Sequence, residues 1–387
     1  MNKKLRLSNN SDGFGSLVLI GLLMLAGIVG VGLTVYKNTS DISLASNKAF
    51  QRSSGGCLDV ADLKLLQDAI NKNSCVRLAA GTWNIDKYII LPSGHTLKGF
   101  AQDKTIIKAS PAWISNGVEG LVDVRSEKAH ATIQNLTLDA ANLATYAMAT
   151  KGVMLDHVTL TAGKCSALGV TGKNLVLSNS LITKSGFVCS SSPPGAGIYM
   201  QATRNTDKSF GPRITGTTIK DNNGPGIDVN NVNGGTLSRN MIIGNSGWAA
   251  VSLYAASNWT IDNNTLHQPM STFVQPYHTG CAQHLPNGNG SAGLLICRDT
   301  TNTTAQAQNN RISNNGINGR YGIVLIGDGT TNGNSGPQRN VFTNNNVNGS
   351  TFGCVDSLKY AKTNQKIKNV WNGNNCNGTK NSQPQKF

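Results

Sequence analysis

The chain has 387 residues, of which 43 are glycine, 6% are aromatic and only 14% are charged. This length allows one large domain and a membrane anchor, and the composition fits a β protein rich in turns rather than a disordered chain. The net charge of +15 favours polyanionic partners, but basic and aromatic residues do not interleave, so no nucleic-acid partner is expected.

Residues 16–36, SLVLIGLLMLAGIVGVGLTVY, form an uncharged and mainly apolar segment of 21 residues. This length predicts a single transmembrane helix. Lys3, Lys4 and Arg6 precede it, so residues 1–15 are expected to be cytoplasmic. The lipid bilayer is therefore a predicted partner, and the rest of this single-pass protein is expected outside the cell membrane.

Two alternatives to an uncleaved anchor remain. A signal peptide would be cleaved near Ser43–Ala45, but the apolar run is long for that. A prepilin-like leader would be cut after Gly13, but Val18 stands where a glutamate is expected. The anchor is favoured, and residues 37–55 are interpreted as a polar linker.

Two stretches of the region after the linker bear on its fold. Its sequence runs DVADLKLLQDAINKNSCVRLAAGTWNI and continues as IILPSGHTLKGF. A single folded domain is predicted over residues 56–378, with a C-terminal tail over 379–387.

Further along, one unit repeats: an apolar residue, any residue, asparagine, two further residues and an apolar residue. Its copies are IQNLTL from Ile133, LDHVTL from Leu155, LSNSLI from Leu177, ITGTTI from Ile214, LSRNMI from Leu237, IDNNTL from Ile261, ISNNGI from Ile312, FTNNNV from Phe342 and IKNVWN from Ile367. The base period is 22–25 residues, with insertions. Such a period indicates a solenoid whose coils bury their inner faces against one another.

The third position of the unit predicts a turn and a structural ladder. Asparagine fills it at Asn135, Asn179, Asn263, Asn314, Asn344 and Asn369, while His157, Gly216 and Arg239 occupy it elsewhere. Asparagine suits turns because its side chain bonds nearby backbone and tolerates left-handed dihedrals. We expect these stacked side chains to hydrogen-bond along the solenoid.

Short strands precede the repeat units. They read GVT, GIYMQ, GIDVN, AVSLY, GLLIC and GIVLI, and no helical period appears among them. Alternation along a strand predicts inward side chains at Leu168/Val170, Ile198/Met200, Ile227/Val229, Val251/Leu253 and Ile323/Leu325. Three successive coils then present Tyr199, Gln201, Asp228, Asn230, Ser252 and Tyr254 outward, flanked by coils with small or apolar residues.

Together, the segment from Asp59 with its AGTW and LPSG-TLKG elements and the repeats resemble the right-handed parallel β-helix of the pectin lyase-like superfamily, over roughly residues 55–376. The resemblance implies an all-β, right-handed parallel β-helix solenoid with an N-terminal capping helix, here preceded by the single transmembrane helix. It also implies that glycan chains bind the outer face of the first sheet.

Eight cysteines follow the apolar segment, an even number that predicts disulfides in an oxidising compartment. Spacing alone leaves their connectivity open. The β-helix resemblance implies four sequential bridges, because residues one coil apart lie about 4.8 Å apart. The pairs are Cys57/Cys75, Cys165/Cys189, Cys281/Cys297 and Cys354/Cys376.

The outward patch suits a sugar, because rings stack on aromatic side chains and hydroxyls bind polar groups. β-Elimination or C5-epimerisation of an acidic, uronate-containing polysaccharide needs a base and a cation that stabilises the enolate. Candidate acids and bases are Tyr199, Tyr254 and His278, and Arg298 or Arg213 is the candidate cation. Asp228 is a candidate general acid or calcium ligand, while Gln201, Asn230 and Ser252 are candidate substrate-binding residues. Calcium is the one cofactor considered.

The patch departs from two patterns of the resembled superfamily. It has one aspartate and no GHG element where pectin-type hydrolases have several aspartates, and it lacks the carboxylate cluster of pectate lyases. Glycoside hydrolysis normally needs two carboxylates. A non-catalytic glycan-binding adhesin and a structural surface protein are therefore kept as alternatives.

Overall fold

The structure is a computed structural model that describes residues 56–115, 119–124, 131–189, 195–202, 211–269, 291–298, 307–326, 337–356 and 368–377. Contacts divide the chain between Gln51 and Arg52, and every described residue lies on the C-terminal side. The predicted segments 1–15, 16–36, 37–55 and 379–387 lie outside the described residues. No helix within the described ranges is long and apolar enough to cross a membrane.

The described residues form one helix and two parallel sheets. Sheet 1 consists of β4 (Ile89–Ile90), β7 (Val122–Val124), β9 (Tyr146–Thr150), β11 (Ser166–Val170), β14 (Ile198–Gln201), β17 (Ile227–Asn230), β20 (Ala249–Tyr254), β23 (Ala292–Cys297), β26 (Tyr321–Ile326) and β29 (Phe352–Asp356).

Sheet 2 contains two columns of strands, which β8 (Ala131–Asp139) and β10 (Val153–Thr161) span together. Its first column also contains β1 (Leu58–Val60), β2 (Cys75–Leu78), β5 (Thr96–Lys98), β12 (Val176–Ser178), β15 (Arg213–Thr215), β18 (Asn233–Ser238), β21 (Ser257–Asp262), β24 (Arg311–Ser313), β27 (Val341–Thr343) and β30 (Val370–Asn372). Its second column also contains β3 (Gly81–Ile85), β6 (Thr105–Ala109), β13 (Leu181–Thr183), β16 (Thr218–Lys220), β19 (Met241–Ile243), β22 (Thr265–His267), β25 (Gly316–Asn318) and β28 (Asn346–Val347).

Each regular coil passes through the first column, the second column and then sheet 1, and every strand pairs in parallel with its equivalent in the next coil. This is a parallel β-helix, as the repeat predicted. Helix α1 (Leu63–Lys72) is the predicted capping helix: Asp62 caps its N-terminus through Lys64 N, and Leu66, Ala69 and Ile70 are buried. It packs against β1 and β2, the first strands of the solenoid.

The core consists of inward side chains stacked in columns. The predicted inward residues of sheet 1, from Leu168 to Leu325, are all buried in one hydrophobic cluster. The first column of sheet 2 stacks Ile133, Leu155, Leu177, Ile214, Leu237, Ile261, Ile312 and Phe342. Trp371 extends this stack, with its ring centroid 4.0 Å from that of Phe342.

The asparagine ladder exists, but the predicted position is wrong by one residue. Third-position residues such as Asn263 and Asn314 have φ of 56° and 55°, and they face solvent at the sharp turn between the columns of sheet 2. The next residue turns inward instead. Its column contains Ser180, Thr217, Asn240, Asn264, Asn315, Asn345 and Asn374. Ser180 Oγ accepts from Val158 N, and from Thr217 onward each backbone N–H donates to the side chain of the next member. A residue with a left-handed φ bends the chain sharply at this corner of the coil, so its own side chain points outward.

The last repeat is also out of register with the prediction. Phe342 pairs with Trp371, so the final unit begins at Trp371 rather than Ile367. Asn369 instead belongs to a further buried ladder, in which Asn310 and Asn340 donate in turn to the next asparagine from their backbone N–H groups. The IKNVWN pattern matched the unit by composition and missed its true start.

Three predicted disulfides lie within the described residues: Cys57–Cys75, Cys165–Cys189 and Cys354–Cys376. Their Cα–Cα distances of 4.6, 4.6 and 5.4 Å match the spacing between strands. Cys297 is also disulfide-bonded, and its predicted partner Cys281 lies outside the described residues.

Candidate functional site

The parallel register brings the predicted outward residues of sheet 1 together. Tyr199 of β14 pairs with Asp228 of β17, and Asp228 pairs with Ser252 of β20. Gln201, Asn230 and Tyr254 form the adjacent row two residues along the same strands. Neighbouring strands lie about 4.8 Å apart, so the six side chains form one patch, which we call the sheet 1 patch.

The sheet 1 patch is less open than the sequence suggested. Asp228 is fully buried at 0% exposure, and Ser252, Tyr199 and Tyr254 are 2%, 7% and 8% exposed. These side chains point away from the core of the solenoid, but they are covered. Burial of a carboxylate costs free energy unless polar groups compensate for it, so a buried Asp228 needs a specific reason to be there.

The patch opens to solvent at one end. Gln201 is exposed and Asn230 is half-buried, and both lie at the C-terminal ends of their strands. The Tyr199 hydroxyl donates to Gln201 Oε1 at 2.9 Å, and Asn231 Nδ2 donates to Asn230 Oδ1 at 2.8 Å. The two amides are therefore the part of the patch that contacts solvent.

A third tyrosine borders the patch, which the sequence analysis did not find. Gly169 is the register partner of Tyr199, and a Cβ on Gly169 would lie 2.9 Å from the Tyr146 ring. Burial, and to a smaller extent the charge of Glu119, raises the pKa of Tyr146 to about 12. Its phenol therefore stays protonated at neutral pH. The available signal was the glycine itself, which leaves room for a ring beside Tyr199.

The coils on the C-terminal side of the patch are apolar, as predicted. Leu295, Val324 and Ile326 point outward and are buried in a second cluster with Tyr254 and Trp248. The rings of Tyr321 and Phe352 stack at 4.9 Å at the edge of this cluster. The polar character of the outward face therefore ends at Ser252 and Tyr254.

Arg298 and His278 are two remaining catalytic candidates. Arg298 is buried at 7% exposure and directly follows Cys297, the register partner of Tyr254 in the next coil, so it borders the second row of the patch. His278 lies outside the described residues. Among the side chains that the structure describes, no group of three His, Cys, Asp or Glu residues could hold a metal ion, so the candidate calcium site gains no support from a ligand set.

Comparisons with known proteins give the handedness of the fold. Residues 114–284 match the family model described as a right handed beta helix region. The predicted right-handed parallel β-helix is thereby confirmed. No curated protein matches the chain.

Several solved structures are similar. The A-module of a mannuronan C-5 epimerase from Azotobacter vinelandii is 16% identical, with 83% of this chain and 95% of that chain covered and a TM-score of 0.44. The catalytic domain of a GH87 α-1,3-glucanase is 13% identical, with 84% and 70% covered and a TM-score of 0.43. The pre-mature gene product 12 of bacteriophage phi29 is 12% identical, with 84% and 52% covered and a TM-score of 0.48. Nothing about activity carries over at these identities.

Proposed function

We propose that this right-handed parallel β-helix protein binds an acidic, uronate-containing polysaccharide at the sheet 1 patch and acts on it by β-elimination or a related reaction. The observation that carries the proposal is the register of β14, β17 and β20. It sets a fully buried carboxylate, Asp228, in a row between Tyr199 and Ser252, with Tyr254 in the next row.

The chemistry assigned to the patch is proton transfer. A base removes the proton from the carbon next to the uronate carboxylate, and an acid protonates the departing glycosidic oxygen. Asp228, Tyr199 and Tyr254 are the patch residues able to exchange protons in these roles, with Gln201, Asn230 and Ser252 binding sugar hydroxyls. Return of the proton to the opposite face of the ring would give epimerisation with the same groups.

A second candidate function is glycan binding without catalysis. It is favoured by the single carboxylate of the patch, because hydrolysis normally uses two.

The membrane anchor and the location outside the cell membrane belong to the same proposal. Residues 16–36 would hold the solenoid at the membrane, with the N-terminus in the cytoplasm. The three disulfides support an oxidising compartment. Carbonate extraction of membranes and protease treatment of intact cells test this arrangement: release by carbonate would contradict it.

The activity test uses the purified full-length protein in a nonionic detergent, with and without calcium, on a panel of uronate-containing and neutral polysaccharides. Ultraviolet absorbance reports unsaturated uronates, a reducing-end assay reports hydrolysis, and NMR reports C5 inversion. We expect unsaturated or inverted uronate products.

The matched variants are Asp228→Asn and Asp123→Asn, because Asp123 also lies on sheet 1, in β7, four strands away. Asp228→Asn should lower turnover by at least about 100-fold, and Asp123→Asn should leave it unchanged. No product on any substrate, with saturable binding that is lost in Asp228→Asn, would establish the binding function instead. Products that persist in Asp228→Asn would overturn the site.

A further inference from the structure

A groove lies on the outer side of the solenoid, on the first column of sheet 2. It has a volume of about 390 Å³ and is lined by Asn258, Trp259, Thr260, Asn309, Arg311, Arg339 and Val341. None of these residues belongs to sheet 1, so the groove is separate from the sheet 1 patch. We propose that it binds an anionic group of an acidic polysaccharide, between the guanidinium groups of Arg311 and Arg339.

The two arginines lie on successive coils. Arg311 of β24 pairs with Val341 of β27, and Arg339 lies two residues before Val341 in that next coil. Both side chains are exposed, and none of the ion pairs among the described residues includes either of them. Each guanidinium group presents a fork of N–H donors that matches a carboxylate or sulfate, and two such groups on neighbouring coils can bind one anionic group between them.

The carboxylate of Asp262 forms no ion pair with either arginine of the groove. Asp262 lies two residues beyond Thr260 on the same strand, and it is engaged by three polar neighbours. Ser313 Oγ donates to it at 2.6 Å and Asn314 Nδ2 at 2.8 Å, while Asn263 Nδ2 also donates to it. These donors hold the Asp262 carboxylate within its own hydrogen-bond network, and both guanidinium groups remain exposed to a ligand.

The backbone beneath the groove is held by a ladder of buried hydrogen bonds. Asn258, Asn309 and Arg339 have φ of 60°, 58° and 57°, which directs their side chains outward on successive coils. The buried ladder lies directly below: Asn310 Oδ1 accepts from Trp259 N at 2.9 Å, and Asn340 Oδ1 accepts from Asn310 N at 3.0 Å. A rigid groove loses little conformational entropy when a ligand binds.

The neighbouring residues favour a sugar polymer over nucleic acid or a small ion. Among the described residues that line the groove, Trp259 has the one aromatic ring, and this ring is fully buried, so these residues offer bases no stacking surface. Arg311 continues a column with Thr260, Thr236 and Arg213 on the preceding coils. The two threonine hydroxyls therefore lie between Arg213 and Arg311, whose strands are about 14 Å apart because three steps of about 4.8 Å separate them. This spacing suits a polymer with repeated charges.

The test measures binding of fluorescent sulfated and uronate oligosaccharides to the full-length protein in a nonionic detergent. The variant Arg311→Thr/Arg339→Asn introduces residues that neighbouring coils carry at the equivalent positions, Thr260 and Asn309. The control, Lys220→Thr/Arg239→Asn, also removes two charges. Arg239 has a left-handed φ of 56°, close to the 57° of Arg339, but it follows its strand, β18, whereas Arg339 precedes β27. Circular dichroism checks that both variants fold.

We expect the groove variant to raise the Kd of at least one oligosaccharide class by at least about tenfold and to lower the slope of log Kd against log salt by about two. The control should change the Kd by less than about twofold. Equal losses in both variants, or no loss in the groove variant, would overturn the site. A single-stranded oligonucleotide of equal charge that binds more tightly, with the same dependence on the two arginines, would overturn the ligand class.

Arg213→Thr tests the axial placement of the polymer. It should weaken a dodecasaccharide but not a disaccharide, and an unchanged dodecasaccharide would refute that placement. The groove stands apart from the proposed activity, because it is judged by binding and the sheet 1 patch by products. Failure at one site leaves the other intact.

Discussion

Replacement of Asn315 by alanine should destabilise the solenoid more than a substitution at an exposed position does. The Asn315 side chain is 1% exposed and forms four hydrogen bonds. Its Oδ1 accepts from the backbone N of Asn264 at 2.9 Å and from Asn264 Nδ2 at 3.0 Å. Its Nδ2 donates to Ile261 O and to Asn345 Oδ1, both at 2.9 Å.

The expected loss follows from these contacts. A neutral hydrogen bond contributes about 1 kcal/mol net, and a buried group left without its partner costs about 1–3 kcal/mol. The alanine variant leaves the Asn264 N–H and the Ile261 carbonyl buried without the side chain that bonded them. We therefore expect the free energy of unfolding to fall by about 3–5 kcal/mol, a large part of the roughly 5–15 kcal/mol typical of a domain.

Equilibrium unfolding in guanidinium chloride, followed by circular dichroism, measures this loss as a shift of the midpoint. The control is Asn344→Gly, at an exposed position with φ of 53° where Gly216 and Gly373 stand in other coils. It keeps the left-handed turn and should change stability by no more than about 0.5 kcal/mol. If Asn315→Ala costs less than about 1 kcal/mol, or no more than the control, the ladder does not stabilise the fold as argued.

Two further substitutions test the packing and the charges of sheet 2. Gly235→Ala would set a Cβ 2.5 Å from the Trp259 ring, so it should cost about 1–3 kcal/mol and shift the tryptophan fluorescence. Gly316→Ala, with nothing within 4 Å of its Cβ, should not, and equal effects would contradict the packing argument. The Ser313 hydrogen bond holds the pKa of Asp262 below its ordinary value of 3.8, against the opposing effect of burial. A carboxyl group whose pKa is lowered on folding stabilises the folded state at pH values above its unfolded-state pKa, and this stabilisation is lost as the pH falls through its folded-state pKa. Asp262→Asn removes this contribution, so the variant should lose less stability than the wild type as the pH falls below about 4. If urea unfolding shows the same loss at acid pH in both proteins, the argument is refuted.

Much of the solenoid was predictable because its repeat is visible in single residues. Alternation along GIYMQ and GIDVN predicted that Ile198 and Ile227 point inward and that Tyr199 and Asp228 point outward as neighbours. Each outcome depends only on strand period and coil length, which local sequence determines.

The errors arose where the sequence is locally degenerate. Asn263 and Asn264, like Asn314 and Asn315, are adjacent asparagines, and composition does not tell the left-handed residue from the buried one. The burial of Asp228 was not predictable either, because alternation separates inward from outward but not covered from exposed. Tyr146 was missed because it contacts Gly169 across coils, through space that only the folded chain defines.

The asparagine column has a consequence for how such a protein changes over evolutionary time. Asn240 and Asn264 are 24 residues apart, whereas Asn264 and Asn315 are 51 apart, yet the side-chain bond in each step is 3.0 Å. Each coil is anchored at a fixed point regardless of how much chain it contains. Insertions can therefore lengthen one side of a coil while the neighbouring coils keep their register, so that surface loops diversify on a frame that stays constant.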